Sequence, residues 1–120
     1  MKSRMVEPLS IDESTEGAAA LLTVNGRVTI DSSPALRDRV HAILQRESLP
    51  ALTIDLTAVA YIDASGLATL VEALKTARAN KTTLRLRLHE RPRYLLEVTG
   101  LLSLFEAAGE PKAHIASRES

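Results

Sequence analysis

Four consecutive residues, Asp63-Ala64-Ser65-Gly66, offer the clearest chemistry in this sequence. They stand between a segment of alternating apolar residues and one of helical periodicity, so they should open a helix. A carboxylate just ahead of a helix accepts hydrogen bonds from the orphan N–H groups of the first turn and complements the positive helix end. Ser65 then falls in the first turn with its hydroxyl near the surface, and Gly66 lets a partner's backbone or a phosphate come close. The plain reading is a capped helix start. The functional reading is a regulated serine, because a phosphoryl group would bring roughly −1.5 to −2 charge to this spot beside Asp63. Such a modification would disturb an interface more than the fold.

Other chemistry finds less support. No Gly-x-Ser-x-Gly frame surrounds Ser65 and no His–Asp pair suggests itself, so a hydrolase triad is not indicated. His41, His89 and His114 lie far apart with no carboxylate pattern resembling a metal box. Cysteine is absent, which removes disulfides, thiolate nucleophiles and Cys-type zinc sites. No cofactor is expected. Lys plus Arg and Asp plus Glu both number 15, and the aromatic residues are Tyr61, Tyr94 and Phe105 alone. Neither the charge balance nor the supply of rings suits a nucleic-acid binder. A local basic run from Lys75 to Arg93 reads most simply as a solvated strand face with helix ends, and alternatively as a patch for an acidic partner or anionic lipid.

The elements that must position the Asp63–Gly66 cluster follow from periodicity. Two extended segments, 8–14 and 18–25, are separated by the polar turn Ser14-Thr15-Glu16-Gly17. Ser33 is placed to cap a helix with Pro34 at its first position, and Leu36, Val40, Ile43 and Leu44 give that helix one apolar stripe to about Arg46. Leu52, Ile54 and Leu56 alternate with polar residues as a strand. Leu67, Leu70, Val71, Leu74 and Ala77 line one face of the helix behind Asp63, which should reach about Asn80. Leu84, Leu86 and Leu88 mark another strand, Glu90-Arg91-Pro92 opens a short helix stopped by Gly100, and 101–108 adds a helical turn or two. Residues 109–120 read as a polar, frayed tail.

The strands at 20–25, 52–57 and 83–88 each show one apolar face, so the sheet should carry its main helices on one side, with the other open or thinly covered. Apolar runs such as Ala18–Leu22 fall far below the ~20 residues of a membrane span. The first ten residues carry Lys2, Arg4 and Glu7 and no apolar h-region, unlike a secretory signal. A soluble, cytoplasmic protein is expected, with one domain over 1–120 and its core within about 8–108.

Three motifs in order resemble the STAS domain family, bacterial anti-sigma factor antagonists above all. The family's Asp-x-Ser-Gly-Leu stands here as Asp63-Ala64-Ser65-Gly66-Leu67 after the strand around Ile54-Asp55-Leu56. Its Gly-Glu-Leu-Asp element, with Thr-Ala and Leu further on, matches the spacing of Gly26 to Leu36. Its late Thr-Gly-Leu is Thr99-Gly100-Leu101. The resemblance implies an α/β fold, a mixed sheet of four or five strands with helices mainly on one face. It implies that Ser65 is phosphorylated by an anti-sigma factor that is itself a serine kinase, and reset by a metal-dependent PP2C-type phosphatase. The unmodified protein would bind that kinase and free a sigma factor; the protein itself would be no enzyme.

The expected partner surface takes Gly26, Arg27, Thr29, Asp31 and Ser32 from one loop. The helix start contributes Asp63, Ala64, Ser65, Gly66 and Leu67, with Gly66 giving clearance and Thr69 at the edge by helical spacing. Arg27 and Thr29 replace the acidic pair of the family element, so the charge pattern of the partner should differ. A monomer or weak dimer is expected. The competing reading is a constitutive scaffold subunit of a stressosome-like or transporter-associated assembly. Small-ligand binding forms a third class, which requires a pocket beside Ser65.

Overall fold

The computed structural model describes residues 9–101, 103 and 114–117. Along the chain run β1 (Ser10–Glu16), β2 (Ala19–Asn25), α1 (Ser33–Leu44), β3 (Ala51–Ala58), α2 (Ala64–Ala79), β4 (Thr83–Leu88), α3 (Glu90–Val98) and β5 (His114–Ser117). The strands form one mixed sheet in the order β1-β2-β3-β4-β5. β1 and β2 make an antiparallel hairpin; every later neighbour pairs in parallel, with α1 crossing from β2 to β3 and α2 from β3 to β4.

Register explains where the core lies. Leu22, Ile54 and Leu86 stand in one row across β2, β3 and β4, and each is fully buried. Leu36, Ile43 and Leu44 of α1, Leu70 and Leu74 of α2, and Leu96 of α3 join them in a single apolar cluster, so the three helices cover this face. The opposite face carries the row Thr23, Asp55 and Arg87, half-buried, with Arg87 reaching Asp55 at 3.8 Å. The one-sided pattern of the sequence is thereby realised, with one exception. β3 is buried on both faces at its start, where Ala51 and Thr53 are closed off as well as Leu52 and Ile54. Central strands of parallel sheets behave in this way.

Three local expectations change. The hairpin turn is the two-residue Gly17-Ala18, with Glu16 facing Ala19 and Gly17 at φ 66°; β1 therefore runs two residues past the expected end. Ser33 does not cap α1. It is the first helical residue, buried, with Pro34 behind it, and Ser32 occupies the cap position without bonding the helix amides. The tail expected to fray contains β5, which adds to the free edge of β4 with Leu86 opposite Ile115. Leu101 and Ser103 are helical, as expected, and the remainder of 101–108 lies outside the described residues.

Candidate functional site: the start of α2

The site forms where the carboxyl ends of β2 and β3 release their chains. Asp63 is in an extended conformation and its carbonyl accepts the Leu67 N–H at 3.0 Å, the first bond of α2. Its side chain does more than cap. Oδ1 accepts the Ser65 N–H at 2.9 Å, the Gly66 N–H at 3.2 Å and the Ser65 hydroxyl at 2.6 Å. Oδ2 accepts the N–H of Ile30, 33 residues earlier, at 3.0 Å. Four donors converge on one carboxylate. The Ser65 hydroxyl first, then the Gly66, Ile30 and Ser65 amides, outweigh desolvation and hold the Asp63 carboxyl below its ordinary range.

Ser65 is half-buried. Its oxygen donates to Asp63 and accepts a hydrogen bond from the Ser33 hydroxyl at 3.1 Å. Ser33 thus belongs to the site, in a role its reading as a cap had hidden. A small parallel bridge holds the two loops together: Val28 N–H donates to the Tyr61 carbonyl at 3.1 Å and Asp63 N–H donates to the Val28 carbonyl at 3.0 Å. The Arg27 guanidinium sits 4.1 Å from the centre of the Tyr61 ring. Ser32 closes the loop on itself, its hydroxyl accepting from the Thr29 N–H and donating to the Arg27 carbonyl.

Of the residues expected at the surface, Arg27, Asp31 and Ala64 are exposed, and Gly26, Thr29, Ser32, Asp63 and Ser65 are half-buried around them. Leu67 is half-buried with its side chain against the core. Two assignments are corrected. Gly66 is buried, and a Cβ there would meet Ile62 and stand 2.7 Å from Val28 Cγ1, so the glycine makes room for the protein's own loops rather than for a visitor. Thr69 is 6% exposed with its hydroxyl donating to the Ser65 carbonyl at 3.0 Å, which turns it into the helix and away from any partner. Further along α2, Glu72 pairs with Arg37 at 3.0 Å.

The periodicity did not point to the apolar surface beside this cluster. Ile30 is 72% exposed on the loop tip, and Tyr61, Tyr94, Leu95 and Val98 are the other large apolar residues that are exposed among the described residues. They lie on the two bridged loops and on α3. Tyr61, Ile62, Arg91, Tyr94 and Leu95 line an open hollow of about 480 Å³ between the second loop and α3, three residues before Ser65 in the chain. Among the described residues no cluster of His, Asp or Glu could hold a metal ion, and no helix is long and apolar enough to cross a membrane.

Comparisons with known proteins place this geometry in a family. Residues 11–109 match the family model described as "Mlab, STAS domain", and the chain belongs to the STAS domain family. Two curated relatives, the anti-sigma-B factor antagonists of Listeria monocytogenes and Listeria innocua, are each 33% identical over 84 residues, covering 69% of this chain and 73% of the relative. Among solved structures, the crystal structure of an anti-sigma factor antagonist from Mycobacterium paratuberculosis shares the fold. Its TM-score is 0.73 at 22% identity, covering 83% of this chain and 86% of that one.

Proposed function

We propose that this protein is an anti-sigma factor antagonist, a binding module whose affinity for its partner is set by phosphorylation of Ser65. The observation that carries the reading is the Ser65 hydroxyl itself: half-exposed at a capped helix start, held at 2.6 Å by Asp63, and flanked by the exposed Ile30 and Tyr61. The names of the Listeria relatives support the antagonist role. The partner is an anti-sigma factor with serine kinase activity, and a PP2C-type phosphatase reverses the modification, in the cytoplasm where ATP and sigma factors meet.

In the transfer, a bond forms between Ser65 Oγ and the γ-phosphorus of ATP. The bond to the β–γ bridging oxygen breaks, ADP leaves and the hydroxyl proton passes to a base. The chemistry belongs to the kinase. Asp63 contributes orientation, since its short hydrogen bond fixes the rotamer of Ser65 and aims one oxygen lone pair outward. Afterwards a dianion stands beside the Asp63 carboxylate, and a partner packed on Ile30 and Tyr61 would have to bury it unpaired.

Partner capture from the native cell extract tests this, with the unmodified chain, Ser65→Ala, Ser65→Asp and an ATP-treated sample as parallel baits. Retention of one kinase-like protein by the first two, and its loss with the last two, is the expected result. An assembly retained equally by all four would mean a constitutive scaffold.

A further inference from the structure

The loop that carries Ile30 is anchored at its base to the loop before α2, through Thr29 and Ser32 to the first turn of α1, and at Ile30 itself to Asp63. Its base is held by backbone: Val28 pairs with Tyr61 and Asp63 through two peptide hydrogen bonds, neither of which involves Ser65. Its tip, Thr29 to Asp31, is held otherwise. The residues beside Ile30 bond within the loop and to α1: Thr29 N–H donates to the Ser32 hydroxyl, Asp31 N–H to the Thr29 hydroxyl, Ser32 N–H and Ser33 N–H to the Thr29 carbonyl, and the Ala35 and Leu36 amides to the Ser32 carbonyl. Among the described residues, the tip meets the α2 start through the hydrogen bond from Ile30 N–H to Asp63 Oδ2. The other oxygen of that carboxylate is the one that accepts the Ser65 hydroxyl. One side chain therefore touches both the loop tip and the oxygen that a kinase would modify.

We infer that the Asp63 carboxylate couples the loop tip to the state of Ser65, so that a phosphoryl group on Ser65 displaces Asp63 and releases Ile30 from α2. The inference rests on the reading of Ser65 as the phosphorylated residue and adds how the modification reaches the binding surface. Esterification removes the hydroxyl hydrogen, so the 2.6 Å contact changes from a hydrogen bond to two oxygens with no proton between them. The added charge makes that contact repulsive at short range. The phosphoryl oxygens also compete for what Asp63 holds. The Ser65 and Gly66 amides at the helix start favour the stronger anion, and the Ser33 hydroxyl already points at Ser65 Oγ. Asp63 loses its donors on the α2 side and swings out, taking Oδ2 from the Ile30 amide. The most exposed apolar residue on this surface then loses its fixed position, and a partner would have to pay the ordering entropy again.

Backbone amide hydrogen exchange, followed by NMR, tests the coupling on three full-length proteins: the unmodified chain, the chain with phosphoserine placed at position 65 during synthesis, and Ser65→Ala. In the phosphorylated protein the Ile30 amide should exchange roughly tenfold faster or more, the scale of one charge-assisted hydrogen bond lost, while the Val28 amide keeps its protection. Ser65→Ala removes the hydroxyl without adding charge, leaves three amides on Asp63, those of residues 65, 66 and 30, and should keep Ile30 protected. Unchanged exchange at Ile30 in the phosphorylated protein would overturn the inference, and so would equal release in Ser65→Ala. Because phosphoserine is installed without a kinase, this outcome is independent of capture. An absence of Ser65 phosphate in the cell would sink the proposed function and leave the loop measurement standing.

Discussion

The hydroxyl of Ser33 donates to the hydroxyl oxygen of Ser65 at 3.1 Å across 32 residues of sequence. The contact ties the first turn of α1 to the first turn of α2, and Ser65 passes it on to Asp63. Two adjacent helix starts thus share one hydrogen-bonded chain, Ser33 to Ser65 to Asp63 to the Ile30 amide. Ser33 is buried, so its hydroxyl has been withdrawn from water in exchange for this bond. Ser33→Ala should cost about 0.5–1.5 kcal/mol, the net worth of one such bond, read as a lower urea midpoint with an unchanged slope. A variant as stable as the parent would mean that the bond contributes nothing.

Asp63 carries more. Asp63→Ala removes the cap of α2 and the tether of Ile30 together, and the cap alone is worth about 0.5–2 kcal/mol. The loss should exceed that of Ser33→Ala in the same urea titration. Asp63→Asn keeps an acceptor for the amides and should fall between the two.

The pH dependence follows from the same carboxylate. Its folded pKa lies below the ordinary value, so the unfolded chain binds the proton more tightly and the stabilisation is complete above about pH 4. It is lost as pH falls through the folded value. Glu72, lowered by its hydrogen bond with Arg37, and Glu13, lowered by its hydrogen bond with Arg46, lose stability over the same acid range. Urea unfolding at pH 7 and pH 3 should therefore show Asp63→Asn losing less stability on acidification than the parent. Equal losses would count against the assigned hydrogen bonds.

How much of this was legible beforehand depends on distance along the chain. The alternation of Leu84, Leu86 and Leu88 and the helical stripe of Leu67, Leu70, Val71, Leu74 and Ala77 are local patterns; all are buried except Leu67 and Val71, which lie half-buried on the stripe. Asp63 as a cap was legible for the same reason, since a cap is a relation over two or three residues. β5 was not: a four-residue strand in a polar segment exists because β4 leaves an edge to pair with, and that edge is a property of the assembled sheet. Ser33 and Thr69 were misread because their neighbours decide where a hydroxyl goes. Thr69 turns back onto the Ser65 carbonyl one helical turn away, and Ser33 finds a partner 32 residues on.

Gly66→Ala separates internal packing from clearance for a partner. Alanine is the better helix former by about 1 kcal/mol, and Gly66 is not at positive φ. The added methyl group would however overlap Ile62 and come within 2.7 Å of Val28 Cγ1, in the bridge that joins the two loops. Overpacking of this kind costs about 1–3 kcal/mol, so the variant should be less stable than the parent by thermal or urea unfolding. A variant that unfolds at the parent's midpoint while losing its partner would restore the clearance role.

Ile30→Ser isolates the loop tip as a binding element. The side chain is 72% exposed, so its removal leaves the core intact and should shift stability by less than about 0.5 kcal/mol. The amide that Asp63 accepts is backbone and survives the substitution. If the tip is an apolar anchor of the partner surface, affinity for the captured kinase should fall by about tenfold or more, the scale of a well-buried interface residue. The loss should appear chiefly as faster dissociation, because no charge that steers the encounter has changed. Calorimetry on the purified pair, with unfolding measured alongside, separates the two effects. Unchanged affinity would move the anchor to Tyr61 and the α3 face, where Tyr94 and Val98 remain exposed.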